Sequence, residues 1–401
     1  MRNKWLNGVL PAILIHICIG SVYAWTLFVE PLATYLNTSS TKVQIAFSLA
    51  IFFLGMSAAF GGKIVERNVR FSGLLSALFV FSGLTVAALG VLFKTLILIY
   101  LGYGVIMGIG LGLGYLTPVK TLMVWFPNNK GFATGIAVCA FGFASSVASP
   151  MITFLLNHTS LVLTFIIMAS IYIGPMLAAA FLVKKPSDWH EEIIQKEGPV
   201  FKKMDMLKNR TFRFIWLLFF LNIASGLSLI STASMSMKEA NIGVGTIALV
   251  VSVMGVFNGL GRIILATISD RFKNRAAMYR IITMVSFCFC VICYALTSFK
   301  IPIVITLCII SACYGAGFSC LPSLLADLFG MTHASKIHGL ALSAWGFAGL
   351  VGNNLGTFLY NYTNTFKYLF IILAIVYFIE TLISIYLYNN LKKIMIKKKI
   401  P

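Results

Sequence analysis

The sequence predicts an all-α membrane protein: twelve transmembrane helices in two six-helix bundles related by a pseudo-two-fold axis. Three observations carry that prediction. Apolar runs of about 20 residues, the length a helix needs to cross the hydrocarbon layer, recur along the whole chain. Only 10% of the 401 residues are charged, against roughly 25% in a soluble domain, too few to cover a water-facing surface. The second half also repeats the first at a constant offset. These features exclude a soluble enzyme, a DNA-binding domain or a disordered chain as readings of the whole. The runs are too long for barrel strands.

In chain order the spans fall near 8–29, 43–64, 72–93, 97–123, 132–155 and 161–183, then 214–235, 246–268, 278–299, 301–325, 338–359 and 368–388. The first leads straight from Met1 with no clear small-residue cleavage site, so it reads as a membrane helix and not a removable signal. Span 4 is crowded with Gly102, Gly104, Gly108, Gly110, Gly112 and Gly114. A nucleotide-binding loop would follow a strand; inside an apolar helix these glycines indicate close helix packing. Pro118, Pro150 and Pro322 are expected to kink their helices. The polar stretch 184–213, with Pro186, Gly198 and Pro199, separates the two sets of six. Its basic part, 201–213, suits an amphipathic helix on an anionic leaflet. The expected organisation is thus an N-terminal bundle 1–183, a linker 184–213, a C-terminal bundle 214–389 and a basic tail 390–401.

Charge sets the orientation. The net charge of +20 would suggest nucleic acid in a soluble protein; here it is loop charge. With the N-terminus cytoplasmic, 24 Lys and Arg fall on inner segments and five on outer loops. That asymmetry follows the positive-inside rule and places both termini in the cytoplasm, with the protein in the plasma membrane. All eight cysteines lie in apolar runs. Cys290-x-x-Cys293 has half a zinc spacing but no second pair, so it reads as buried packing. No metal, cofactor or nucleic-acid partner is expected, and there is no nucleophile–base pairing or His-rich box to suggest an enzyme.

The two halves align without gaps at an offset of 204 residues. Glu66-Arg67 falls on Asp270-Arg271, Pro118 on Pro322, Gly135 on Gly339, and Ala140-Phe-Gly-Phe-Ala144 on Ala344-Trp-Gly-Phe-Ala348. Six spans per half give parallel repeats, an arrangement that places a ligand near the midplane between two rocking halves.

With twelve spans and acid–arginine pairs in the 2–3 and 8–9 loops, the chain resembles the major facilitator superfamily. Within it, Ile19-Gly-Ser-Val-Tyr-Ala-Trp25, Trp125-Phe-Pro-Asn-Asn-Lys-Gly131 and Ala344-Trp-Gly-Phe-Ala-Gly349 resemble the oxalate/formate antiporter and bacterial monocarboxylate group. The loop motif departs from the superfamily pattern, with Val69 and Lys273 where glycine is usual. The resemblance implies a secondary transporter whose Glu66, Arg67, Asp270 and Arg271 form a charged latch. A solvated loop is the alternative reading of those four.

Arg262 lies within span 8, eight residues before Asp270 and so about 12 Å in from the loop. A guanidinium there costs at least about 2.5–3.5 kcal/mol. Its repeat partner is Ala58, so the scaffold does not itself need a cation at this place. Arginine grips carboxylates with a planar fork, which points to an anionic substrate; a snorkelling Arg is the alternative. The resemblance implies the same, because the oxalate/formate transporter has its substrate-binding Arg at the matching place. That transporter's second cation, a Lys in span 11, aligns with Trp345 here. One cation suits lactate, pyruvate or formate better than oxalate.

Asn258 lies one turn before Arg262 and shares its face. Tyr23, Tyr115, Tyr314, Phe318 and Trp345 fall on spans 1, 4, 10 and 11 and are candidates for an aromatic wall around a small organic anion. His16 is the candidate for carrying a proton, since imidazole titrates near neutrality. Lys120, near the end of span 4, either snorkels or lines an inner vestibule. Glu30 and Glu380 are the other embedded acids. The expected carrier is a monomer that moves a small organic anion with a proton or against a counter-anion. An oxalate/formate-type exchanger and a drug or metabolite exporter are the rival readings.

Overall fold

The computed structural model describes residues 3–186, 203–297, 299–331 and 333–397. Among them the chain is helical throughout. Twelve long helices follow in order: α1 (Trp5–Tyr35), α2 (Ser40–Arg67), α3 (Val69–Leu92), α4 (Leu96–Trp125), α5 (Lys130–His158), α6 (Leu161–Leu182), α7 (Arg210–Glu239), α8 (Val244–Ser269), α9 (Ala276–Ala295), α10 (Lys300–Phe329), α11 (Ala334–Thr363) and α12 (Lys367–Lys397). Eleven of these are long and apolar enough to cross a membrane. The twelfth, α11, matches them at 30 residues but carries Asn353, Asn354 and other polar groups.

Helix ends follow local chemistry. Ser39, Asn68, Ser160 and Asn209 sit at N-caps of α2, α3, α6 and α7, each side chain accepting from a backbone N–H three residues on. Asn37, Lys94, Asn241 and Asn364 take the left-handed conformation in the turns between helices. Pro118, Pro150 and Pro322 lie inside continuous helices. Most of the 184–213 linker is outside the described residues; a short helix, Lys203–Lys208, leads into α7. At the other end α12 runs on through the expected tail to Lys397, since its Leu, Lys, Ile and Met residues include no breaker.

The halves meet along two seams, α2 against α11 and α5 against α8. Backbones touch there because the side chains are missing. A Cβ on Gly55 would stand 2.5 Å from the Gly346 nitrogen, and one on Gly142 3.0 Å from Gly259 Cα. With no hydrophobic force between helices in lipid, close packing of this kind is what holds them.

The helix that reaches the centre is not ideal. α1 tightens to a 3₁₀ segment over Ser21–Trp25. It is pressed against α5 at Gly20, where a Cβ would meet the Phe141 carbonyl oxygen at 2.6 Å. This break carries Tyr23 toward the seam.

Candidate functional site

Arg262 is fully buried at the α5–α8 seam. Its Nε donates to Asn258 Oδ1 one turn earlier (2.9 Å), and Nη1 donates across the seam to the Val138 carbonyl (3.3 Å). The guanidinium carbon lies 4.9 Å from the Phe318 ring centre and 5.5 Å from that of Phe141, within cation–π range of both. Glycines make the room: a Cβ on Gly142 would stand 3.1 Å from Arg262 Nε, and one on Gly315 3.1 Å from its Cγ. Among the described residues no carboxylate pairs with this charge. Nη2 is buried and finds no acceptor of good geometry, and the Tyr23 hydroxyl is the polar group beside the guanidinium.

The aromatic candidates converge here from both halves. Tyr23 and Tyr314 join hydroxyls across the seam at 3.0 Å. Trp345 packs edge-on against Phe318 (4.5 Å), Tyr115 (5.4 Å) and Phe141 (5.6 Å). Tyr314 meets Phe318 at 5.1 Å and Tyr23 meets Phe141 at 5.3 Å. The Tyr115 hydroxyl and the Trp345 indole N–H are buried without hydrogen-bond partners. His16 is fully buried on the Tyr115 side, its ring 5.3 Å from Tyr115, with Nδ1 against the Ala12 carbonyl (3.1 Å). Arg262, Asn258, His16 and the five aromatic candidates thus form one cluster.

Two members of the cluster escaped the sequence reading. Phe141 is the repeat partner of Trp345, and the offset of 204 could have found it. His338 sits 6.0 Å from Tyr115, its Nε2 unpartnered. It lies seven residues, two turns, before Trp345 on the same face.

The latch candidates divide. Asp270 accepts from the backbone N–H groups of Gly131 and Phe132 at the start of α5 (2.8 and 2.9 Å) and pairs with Arg275 at 2.6 Å. Arg275 also meets Asp327 at 2.5 Å, and Asp327 meets Lys130 of the other half at 2.8 Å. Glu66 repeats the pattern on the second seam: it accepts from the Lys336 N–H (3.3 Å) and pairs with the Lys336 ammonium (2.8 Å) near the start of α11. Each acid therefore caps a helix of the opposite half.

The two arginines of the four candidates do not share these contacts. Arg67 and Arg271 are exposed and, among the described residues, in no ion pair. Successive helix residues point about 100° apart, so an acid turned to the seam turns its neighbour to solvent.

Lys120 is buried at this same basic end, where its ammonium donates to the Met331 carbonyl of the other half (2.9 Å). Glu30 is exposed and accepts from Ser40 (3.0 Å). Cys290 and Cys293 are free and buried, and no group of three metal-ligating side chains occurs among the described residues.

Two bundles thus meet on glycine seams around one buried cluster, with the Glu66 and Asp270 contacts at one end. Residues 11–353 and 237–398 match the family model of the Major Facilitator Superfamily, and the chain belongs to that superfamily. It is 26% identical to the uncharacterized MFS-type transporter YhjX of Escherichia coli (strain K12), over 87% of this chain and 86% of that one. It is 25% identical to the oxalate:formate antiporter of Oxalobacter formigenes, over 89% and 85%. It is also 25% identical to apicoplast pyruvate carrier 1 of Toxoplasma gondii, over 40% and 37%. Among solved structures, the proton:xylose symporter XylE superposes with a TM-score of 0.77 at 15% identity, covering 95% of each chain. That likeness concerns the fold.

Proposed function

We propose that this transporter carries small organic anions, monocarboxylates such as lactate, pyruvate and formate, by alternating access, with Arg262 receiving the carboxylate. The carrying observation is a fully buried guanidinium with no counter-carboxylate among the described residues and an Nη2 that lacks a good acceptor. Such a group is costly to leave bare, and a carboxylate supplies the two-point acceptor its fork fits. The aromatic box gives an apolar wall of small size, and the Tyr115 hydroxyl and Trp345 N–H are free to donate to the bound anion. The names of two relatives, an oxalate:formate antiporter and a pyruvate carrier, agree with an organic anion.

In this reading the units 1–183 and 214–389 rock about the site. The basic end faces the cytoplasm by the positive-inside rule, and the Glu66 and Asp270 contacts hold that end closed. His16, against Tyr115 and within electrostatic reach of Arg262, is positioned to respond to the bound charge.

The test is uptake of labelled lactate, pyruvate, formate and oxalate into proteoliposomes. One series imposes a pH gradient; the other loads unlabelled anion inside with no gradient. Arg262→Gln is expected to abolish transport in both. Transport of none of the four, or full activity in Arg262→Gln, overturns the anion reading and favours an exporter of other metabolites. Oxalate transported in preference to the three monocarboxylates favours the oxalate/formate-type exchanger.

A further inference from the structure

A second cation is fully buried inside a helix, in the half opposite Arg262. Lys120 of α4 is 1% exposed. It stands five residues before the end of α4 at Trp125, about 7.5 Å in from the basic end, whereas Arg262 lies about 12 Å in. A four-carbon stem at this depth can reach water along its own helix. Lys120 instead crosses to the other half, where its ammonium donates to the Met331 carbonyl at 2.9 Å.

A track of polar groups joins this cation to the anion site. Tyr115 of α4 meets His338 of α11, ring to ring, at 6.0 Å. Five residues further along α4 Lys120 meets Met331, which precedes His338 by seven, so the two segments run antiparallel. Ser335 lies between, about one turn from each. His338 Nε2 and Ser335 Oγ are both buried without hydrogen-bond partners, and both side chains can donate to an anion.

The internal repeat shows that the scaffold does not itself require these groups. At the offset of 204, Lys120 falls on Leu324 and Ser335 on Gly131. The images of His338 and Tyr115 are Thr134 and Ser319. There the contact is satisfied, because the Thr134 hydroxyl donates to the Ser319 carbonyl at 2.7 Å. A buried cation and two bare polar side chains therefore mark one seam and not the other.

We propose that Lys120, with Ser335 and His338 opposite it, forms a second anion station that receives the substrate carboxylate on the basic side of Arg262 when that end opens. It rests on the anion reading of Arg262. In the closed form the Met331 carbonyl engages the ammonium and shuts the track. Opening parts α4 from Met331 and leaves the ammonium on the wall of the cleft. A carboxylate is then a stronger partner than the neutral carbonyl was, because both members of the pair carry charge. An anion entering from the basic side is drawn past the loops by Lys120 before it reaches the guanidinium, and a leaving anion takes the same step in reverse.

The experiment reads the two faces of the carrier separately. Inside-out and right-side-out membrane vesicles, loaded with saturating unlabelled pyruvate, present the basic and the opposite face to labelled pyruvate. The entry rate at low concentration gives kcat/KM for each face. Lys120→Met and Lys120→Arg are compared with wild type, after size-exclusion chromatography shows each to be monodisperse. Lys120→Met is expected to lower kcat/KM at the basic face about tenfold or more and to leave the other face within about threefold. Added salt should slow wild-type entry at the basic face; that dependence should flatten in Lys120→Met and persist in Lys120→Arg. An unchanged rate at the basic face in Lys120→Met overturns the proposal. A raised rate there also overturns it, since Lys120 would then be only a tie whose loss favours the open form. Equal loss at both faces overturns it too and makes Lys120 a structural residue. In each of these cases the Arg262 reading stands while Arg262→Gln abolishes entry at both faces. Wild-type vesicles that exchange none of pyruvate, lactate, formate and oxalate fail both.

Discussion

At the scale of single residues, Arg262 is held through Nε and Nη1, and its buried Nη2 lacks an acceptor of good geometry. Asn258 and the Val138 carbonyl fix the guanidinium, and the Phe141 and Phe318 rings lie within cation–π range of it. Such a group is pre-organised, so little entropy remains to be lost when an anion binds. Arg262→Lys should therefore fail almost as fully as Arg262→Gln, with labelled-pyruvate binding weakened about 10- to 100-fold, because an ammonium keeps the charge and loses the fork. Tyr115 offers a sharper separation of binding from folding. Its hydroxyl has no protein partner, so Tyr115→Phe should leave the melting temperature unchanged or slightly raised. If that hydroxyl donates to the substrate, the same variant should raise the KM for pyruvate about 3- to 10-fold; an unchanged KM would remove Tyr115 from the site.

At the scale of elements, the notable feature is reciprocal capping. Helices α5 and α11 each begin with backbone N–H groups that find no partner within the helix, and each is met by an acid from the other half. The negative side chain also complements the positive end of the helix dipole. In the proposed alternating-access cycle these contacts must break when the basic end opens, so they would weight the closed conformation. Asp270→Asn keeps the shape and removes the charge from a mostly buried pair. It is expected to shift the equilibrium toward opening at the basic end by about tenfold or more, read as faster thiol labelling of a cysteine placed at Ala266. The seam glycines predict the opposite failure. Gly55→Leu introduces a side chain where a Cβ alone would stand 2.5 Å from the Gly346 nitrogen. It should prevent closure of the α2–α11 seam and abolish transport, while the protein still reaches the membrane in normal amount.

At the scale of the whole molecule, the proposed substrate would be buried between two halves joined along the α2–α11 and α5–α8 seams. A bound anion that satisfies Arg262 should stabilise the folded carrier: at a hundred times Kd the expected gain is about 2.7 kcal/mol, seen as a raised melting temperature in detergent. The shift should be absent in Arg262→Gln, and a shift that survives there would place the anion elsewhere. The amino-acid sequence by itself determined the helical class, the count of spans, the repeat and the unusual placement of a cation in span 8, because lipid allows few ways to satisfy a backbone and makes each embedded charge conspicuous. It also carried the aromatic candidates, since Tyr23, Tyr115, Tyr314, Phe318 and Trp345 lie on helices that the resemblance to the superfamily implies line a cavity. Only the tertiary structure decided that His338 joins the cluster, that Glu66 reaches Lys336 and Asp270 reaches Arg275, and that Glu380 stands against Asn222 without a cation. Those facts depend on which face each helix turns toward its neighbours. In an apolar helix with no polar stripe to mark an outside, periodicity does not disclose that face; packing against the other eleven helices sets it.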